Sequence, residues 1–437
     1  MKYPVCLGVV CLARNTFDYP AAQKLYDEIL ISLNSIENVE IVSEKNIIMD
    51  VEDAIRVGNM FSQKQVHAIA IISGTFHLGH LALEIKKHAE VPLLLWGLPE
   101  LPYDGGKIRL NSVCGVNMNA SNLIKSGITD FTYTVGNTID ENWLDAIRMM
   151  VSLKESRLGL IGSRAHGFFN VGVNELSMYG KFGTLVDYFP LTALWETEVK
   201  KEEVEKCREI LENNFVTTNL SNDKKHAVAE LSAKFSSFAK DNALSAIAIR
   251  CWPEFAAQYG IAPCASMSIV QSEGLLLSCE GDLDCAITMI AHKAAGAVTP
   301  FMADLSQVNP EENTALMWHC GVAPCNLQDG ICEATLDTYH GGGRGVTAGF
   351  VMKQGRINMA RLDSIAGEYR LFMRSGESLP MDKELAGTYA KVRFDMPMSE
   401  VLDSVIYNGI AHHVSMVYGD YSKTFDIFAR LKGIPKI

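Results

Sequence analysis

An apolar run that ends in acids is the first place in this chain where chemistry could be done. Leu275–Thr288 reads Leu-Leu-Leu-Ser-Cys-Glu-Gly-Asp-Leu-Asp-Cys-Ala-Ile-Thr: a buried-strand pattern runs into Glu280, Asp282 and Asp284, and an apolar helix follows. Asp282 and Asp284 are expected at the helix N-cap and first turn, where their oxygens meet free backbone N–H groups and the helix dipole. Glu280 has no such duty. At the end of a buried strand its carboxylate is costly unless it is paired or bound to a cation. Two more polar residues stand alike: Asp304 closes the segment Val298–Asp304, and His319 closes Leu316–His319. His412 and His413 lie between apolar runs, and strand alternation would send them to opposite faces, so at most one joins a given site. Carboxylates with imidazole and no thiolate suit a hard-to-intermediate cation such as Mn²⁺.

Other polar groups sit where strands are expected to end: Arg14-Asn15, Gly74–His77, Gly162–His166 and Arg250–Glu254. Open α/β sheets bind ligands at such ends, although strand ends are polar for many other reasons. No G-x-G-x-x-G follows the first strand, which counts against a dinucleotide cofactor. The glycine-rich stretch Gly341–Gly345 is not framed by strand and helix and reads as a loop.

The elements that must position these residues alternate through the first two thirds of the chain. Apolar runs at Val5–Ala13, His67–Ser73 and Val91–Trp96, with a shorter strand at Val39–Val42, are separated by helical patterns at Tyr19–Leu33, Val51–Phe61 and about Leu78–His88. That order predicts a parallel sheet covered on both faces. A helix over Glu141–Lys154 closes the unit, and the alternation restarts with strand Leu158–Ile161, helix Asn174–Phe182, strand Thr184–Phe189, two long helices and strand Ser245–Arg250. Past about residue 296 short strands between Gly and Asp turns take over: Ala315–Trp318, Gly349–Met352, Ile357–Leu362, Tyr369–Met373 and Tyr389–Phe394. They predict an antiparallel, barrel-like β domain. The fold class is therefore α/β: two Rossmann-like, doubly wound domains at 1–155 and 156–295, the second carrying Glu280, then a β domain at 296–437 carrying Asp304 and His413.

Composition narrows the partners. A net charge of −12 over 437 residues argues against nucleic acid, which needs a Lys/Arg-rich face. Clusters such as Lys200-Lys201-Glu202-Glu203 read as a solvated helix face. Eleven cysteines, an odd number with no C-x-x-C pair, fit a reducing cytoplasm better than a disulfide framework. No apolar run is long enough to span a bilayer, and Val5–Ala13 reads as a buried strand rather than a signal peptide.

At the candidate residues the chain resembles the L-fucose isomerase and L-arabinose isomerase family. The matching pieces are Cys279–Asp282 with Ala286–Met289, Phe301–Asp304, Trp318–Pro324, Gly355–Leu362 and Ala411–His413, in the family's order from about residue 245 onward. The resemblance implies a divalent metal held by Glu280, Asp304 and the second histidine of the pair, His413. Aspartate at 304 is closer to the fucose branch, and His319 matches a histidine lining the site in the arabinose branch. It also implies two Rossmann-like domains followed by a β domain. The assembly implied is a homo-oligomer, commonly a hexamer, with the active site near a subunit interface.

The activity so implied is aldose–ketose isomerisation of a monosaccharide through a cis-enediol, with Mn²⁺ (or Mg²⁺ or Co²⁺). Glu280 and Asp304 would move the proton, and Arg14, His77, Trp252, His319 and Asn408 are candidates to hold sugar hydroxyls. Two features bear on the substrate: the chain is shorter than typical fucose isomerases, and Gly74-Thr75-Phe76-His77 stands where the fucose branch has a tryptophan-bearing strand end. L-Fucose, L-arabinose and other deoxy or C6-modified sugars, anionic ones included, would suit the same centre. A metal-assisted hydride shift is the rival mechanism. The competing classes are a non-catalytic sugar-binding protein and another metal-dependent sugar enzyme such as an aldolase.

Overall fold

The computed structural model describes residues 2–338 and 345–437. The expected loop Gly341–Gly345 lies outside the described residues except for Gly345. Two compact units emerge: one runs up to Val151 and includes Lys423–Ile434, and the other holds Ser152–Ser422 with Pro435–Ile437.

In the first unit β1 (Val5–Leu12), β2 (Val39–Ser43), β3 (Ala68–Ser73), β4 (Leu93–Gly97) and β5 (Phe131–Val135) form an all-parallel sheet in the order β2-β1-β3-β4-β5. The apolar runs are central strands because both faces are covered: Val9 and Ile72 face one core cluster, Val10 and Ile71 the other. Helices Tyr19–Leu33 and Val51–Gln63 begin where Asp18 and Asp50 accept backbone N–H bonds from Ala21 and Asp53. Between Ser112 and Val135 two elements were not foreseen, the helix Ser112–Lys125 and β5. The first is rich in Asn, Ser and Gly, poor helix formers. The second is a sheet edge with exposed Tyr133 and Val135 and lacks a fully apolar pattern. The last helix, Ser422–Lys432, counts with this unit, and its Leu431 and Ile427 join the β1-side core.

The second unit opens with a four-stranded parallel sheet, β6 (Arg157–Ile161), β7 (Leu185–Phe189), β8 (Ala246–Ile249) and β9 (Leu276–Ser278), ordered β7-β6-β8-β9. The remaining strands are β10 (Phe301–Asn309), β11 (Thr314–His319), β12 (Thr335–Thr338), β13 (Val346–Val351), β14 (Gly355–Ile365), β15 (Glu368–Leu379), β16 (Thr388–Phe394) and β17 (His413–Tyr418). Six of them close an antiparallel barrel, β10-β17-β14-β15-β16-β11, and the β11–β10 ladder completes the ring. The chain is thus the expected mixed α/β protein with Rossmann-like sheets and a β-barrel. Helix Leu283–Ala294 is buried nearly all round because it packs on β14 and β17 as well as on β8 and β9.

Two local expectations change. Asp304 does not end a segment: it is the fourth residue of β10, which continues to Asn309 through a register shift between Leu305 and Gln307. That far end is partly exposed and polar, so the apolar pattern stops before the strand does. The β region also contains a helix, Met398–Asn408, ended by Gly409 in the left-handed conformation.

Candidate active site

Three elements of the second unit converge on one imidazole. His413 opens β17, and the β10–β17 register sets Asp304 directly opposite it. Side chains opposite one another in an antiparallel ladder share a face, which brings carboxylate and ring together. Glu280 comes from the turn Cys279–Gly281 between β9 and helix Leu283–Ala294. His413 Nε2 stands 3.5 Å from Glu280 Oε2 and 3.7 Å from Asp304 Oδ1. The ring itself is buried, whereas the Glu280 and Asp304 side chains keep 19% and 24% exposure, so the cluster is open on the carboxylate side.

The Glu280 turn is strained. Glu280 has φ 61° and Gly281 φ 78°, the left-handed region that a non-glycine residue enters at a cost of about 1–3 kcal/mol. The Glu280 carbonyl accepts from Ala165 N at 3.0 Å, and a Cβ on Gly281 would stand 2.7 Å from Ser163 O and 2.8 Å from Arg164 Cα. Backbone atoms on both sides cannot give way. Gly281→Ala is therefore expected to lower stability by about 1–3 kcal/mol and to move the Glu280 carboxylate. Urea denaturation reads the first effect, and an unchanged midpoint would show that the turn is not the constraint.

The far nitrogen of His413 is fixed from behind. Nδ1 lies 2.9 Å from Asp282 Oδ2, and Asp282 is forked by the buried Arg361 guanidinium at 2.8 and 3.2 Å. Burial pushes the Asp282 carboxyl up, but Arg361 and His413 outweigh it and hold the group well below the usual carboxylate range. An ionised Asp282 only accepts hydrogen bonds, so Nδ1 carries the proton and Nε2 presents its lone pair to Glu280 and Asp304. Burial keeps the His413 ring neutral by lowering it below the ordinary imidazole value, against the pull of Asp282. Asp282 also caps its helix through Cys285 N, as expected. Asp284 does more than sit in the first turn: it accepts from Ser364 N and Oγ and from Tyr369 OH, and burial, offset by Arg361, raises it to about 6.

The histidine pair departs from the alternation rule. His412 precedes β17, so the pleat does not yet govern it, and the two rings lie 3.9 Å apart. His412 Nε2 reaches the same Glu280 Oε2 at 3.1 Å, and its Nδ1 meets Asn170 Nδ2 at 3.0 Å. Burial lowers the His412 ring and the Glu280 contact and neighbouring acids raise it, with a net rise. For His319, burial is outweighed by Cys320, Asp304 and Glu280, which bring it to about 9. The field that favours a proton on these rings equally favours a cation.

Asp304 Oδ1, His319 Nε2 and His413 Nε2 are buried without a hydrogen-bond partner. Unpartnered buried polar atoms are rare in folded proteins, and three aimed at one another fit a divalent cation. Two donor groups, Glu280–His412–His413 and Asp304–His319–His413, each bring their ligand atoms within 4.8 Å of one another. Oxygen and imidazole donors without thiolate suit a hard-to-intermediate divalent cation rather than a soft one. Of the other residues expected at a site, Trp252 follows β8 and is 44% exposed, and the exposed Asn408 donates its amide to Ser404 O in its own helix. Arg14 and His77 belong to the first unit. There Arg14 N donates to Thr75 Oγ1, and the buried His77 ring contacts Ser73 Oγ and Asn119 Nδ2. Burial lowers His77 to about 4.

Fold and cluster together define an α/β and β-barrel protein with a carboxylate–imidazole centre. Residues 8–153 match the family model described as fucose/sulfoquinovose isomerase, N-terminal domain, and residues 322–437 match that of L-fucose isomerase, C-terminal domain; together they span more than half the chain. The chain belongs to the fucose isomerase family, and it is an aldose–ketose isomerase, an intramolecular oxidoreductase. Sulfoquinovose isomerase of Priestia aryabhattai is 26% identical over 424 residues, 95% of this chain and 94% of the relative. The enzymes of that name from Alkalicoccus urumqiensis (26%, covering 85% of each chain) and from a Clostridium species (25%, covering 93% and 92%) are similar. Among solved structures, a periplasmic solute-binding protein from Actinobacillus succinogenes with bound D-allose aligns over 66% of this chain and 88% of its own. Its identity is 12% and its TM-score 0.17, too low to bear on the argument.

Proposed function

We propose that this isomerase acts on an aldose modified at C6 by an anionic group, by proton transfer through a cis-enediol at a centre where Glu280, Asp304 and His413 hold a divalent cation. The convergence of two part-exposed carboxylates on the lone pair of His413, with unpartnered atoms around it, carries the reading. A bound Mn²⁺ would polarise the sugar carbonyl and offset enediolate charge. The chain's own groups do the rest. Of Glu280 and Asp304, on the open flank, one carboxylate takes the C2 proton; the C2 electron pair forms the C1–C2 double bond as the carbonyl pair moves to O1. The proton then returns to C1, the O2 hydroxyl proton passes to O1, and the electron pair of the O2–H bond closes the C2 carbonyl. Asp282 keeps the proton on His413 Nδ1 throughout, and His412 hydrogen-bonds Glu280 Oε2. His319, whose buried Nε2 has no hydrogen-bond partner, would meet a sugar oxygen.

The relatives named sulfoquinovose isomerase support a sulfonated sugar as substrate. We also infer a homo-oligomer in a reducing cytoplasm. All eleven cysteines are free, and large apolar side chains such as Leu176 and Tyr407, each 83% exposed, are available to a second copy. Among the described residues no helix is long and apolar enough to cross a membrane.

Incubating the enzyme with sulfoquinovose and neutral aldoses in D₂O, with Mn²⁺ and with EDTA, tests the reading. Ketose labelled at C1 in the Mn²⁺ arm, and lost with EDTA, is the expected result. Unlabelled ketose would replace proton transfer by a hydride shift, and undiminished turnover in EDTA would remove the cation from the chemistry.

A further inference from the structure

The turn that clamps Glu280 also displays a cation with almost nothing to do. After β6 the chain passes through Gly162 and Ser163, both at positive φ (75° and 62°), and Ser163-Arg164-Ala165 lies against the Glu280–Gly281 backbone. The same loop continues to Phe168, whose ring lies 5.7 Å from that of His412, and to Asn170, which bonds His412 Nδ1. One loop thus borders the cluster at Glu280 and at His412. Between those contacts Arg164 stands half-buried, its guanidinium 5.2 Å from the centre of the Phe169 ring. Its hydrogen bond is to Phe169 O at 3.5 Å, the limit of a useful contact. Gly172 makes the room: a Cβ there would stand 2.3 Å from Arg164 Nη1.

The other arginines of this flank are committed. Arg250 is paired with Glu254 at 2.6 Å, and Arg361 with Asp282 and Asp363. Among the described residues no carboxylate pairs with Arg164. A guanidinium held against a ring keeps its charge and its planar fork, and that fork matches two oxygens of an oxyanion. We infer that Arg164 is the specificity-determining residue that receives the sulfonate carried on C6 of the substrate, while C1 and C2 lie at Glu280 and Asp304. This rests on the reading above of a C6-anionic aldose.

The test compares wild type with Arg164→Gln and Arg164→Lys on sulfoquinovose and on 6-deoxyglucose, which lacks the sulfonate. Arg164→Gln is expected to lower the ratio of kcat/KM for sulfoquinovose over 6-deoxyglucose by about 10- to 100-fold, mainly through KM, with Arg164→Lys between it and wild type. Mn²⁺ titration of each variant by calorimetry shows that the centre is intact, so a selectivity loss with wild-type Mn²⁺ affinity reports the sulfonate contact. If wild type isomerises sulfoquinovose and Arg164→Gln keeps the same ratio, the inference is overturned and the substrate reading survives. If wild type does not turn over sulfoquinovose at all, the substrate reading falls and takes this inference with it.

Discussion

Glu280→Gln and Asp304→Asn are each expected to give a folded protein whose turnover is reduced by about 10²–10⁴-fold, the usual contribution of a positioned acid or base. The amide keeps the size of the carboxyl group and removes both its charge and its ability to accept a carbon-bound proton. Neither residue supports the core. Both side chains are part-exposed, and Asp304 Oδ1 has no hydrogen-bond partner to lose. Assayed with Mn²⁺ in excess, because both residues are also proposed ligands of the cation, the loss should fall mainly on kcat, where a group that acts as the proton moves contributes. Steady-state kinetics beside a thermal melt decides it. A variant that melts like wild type and retains turnover within about twofold would end the acid/base assignment.

How far the sequence carried these residues varies with what each depends on. Glu280 was legible because an acid at the end of an apolar run has no cheap explanation. Asp304 and His413 were visible as polar residues among apolar ones, but their meeting depends on the β10–β17 register, which no local pattern reveals. The resemblance to the isomerase family, not the spacing, picked His413 from the pair. The strand rule that admits only one of the pair to a site begins to apply at His413, one residue after His412. The alternating apolar runs predicted the parallel sheets well, since buried strands and amphipathic helices differ sharply in period. Elements held together by tertiary contact were lost, as with the Asn- and Ser-rich helix Ser112–Lys125 and the final helix that counts with the first unit.

Asp282 shows the limit most clearly, because its local role is real and hides a second one. It caps helix Leu283–Ala294 and also receives Arg361, a residue 79 positions away, beneath His413. Arg361 is buried entirely, forked onto Asp282, bonded to Asp363 at 2.8 Å and donating to the His413 carbonyl at 3.0 Å. Arg361→Met is expected to cost about 3–5 kcal/mol, the range for breaking a buried pair from one side. Asp363 would still have Arg370, whereas Asp282 would be left with Cys285 N and the His413 ring. A buried carboxylate so placed gains by taking up a proton, and His413 Nδ1 then loses the acceptor that fixes its tautomer. Stability and site are therefore coupled through one guanidinium. Arg361→Lys, which keeps the charge without the fork, should lose less. In Asp282→Asn the same arginine change should cost much less than in wild type, because the two residues act as a unit. Urea denaturation of the four proteins in that cycle measures the coupling. Additive losses, or an Arg361→Met variant within about 1 kcal/mol of wild type, would show that Arg361 does not hold Asp282 in its charged state.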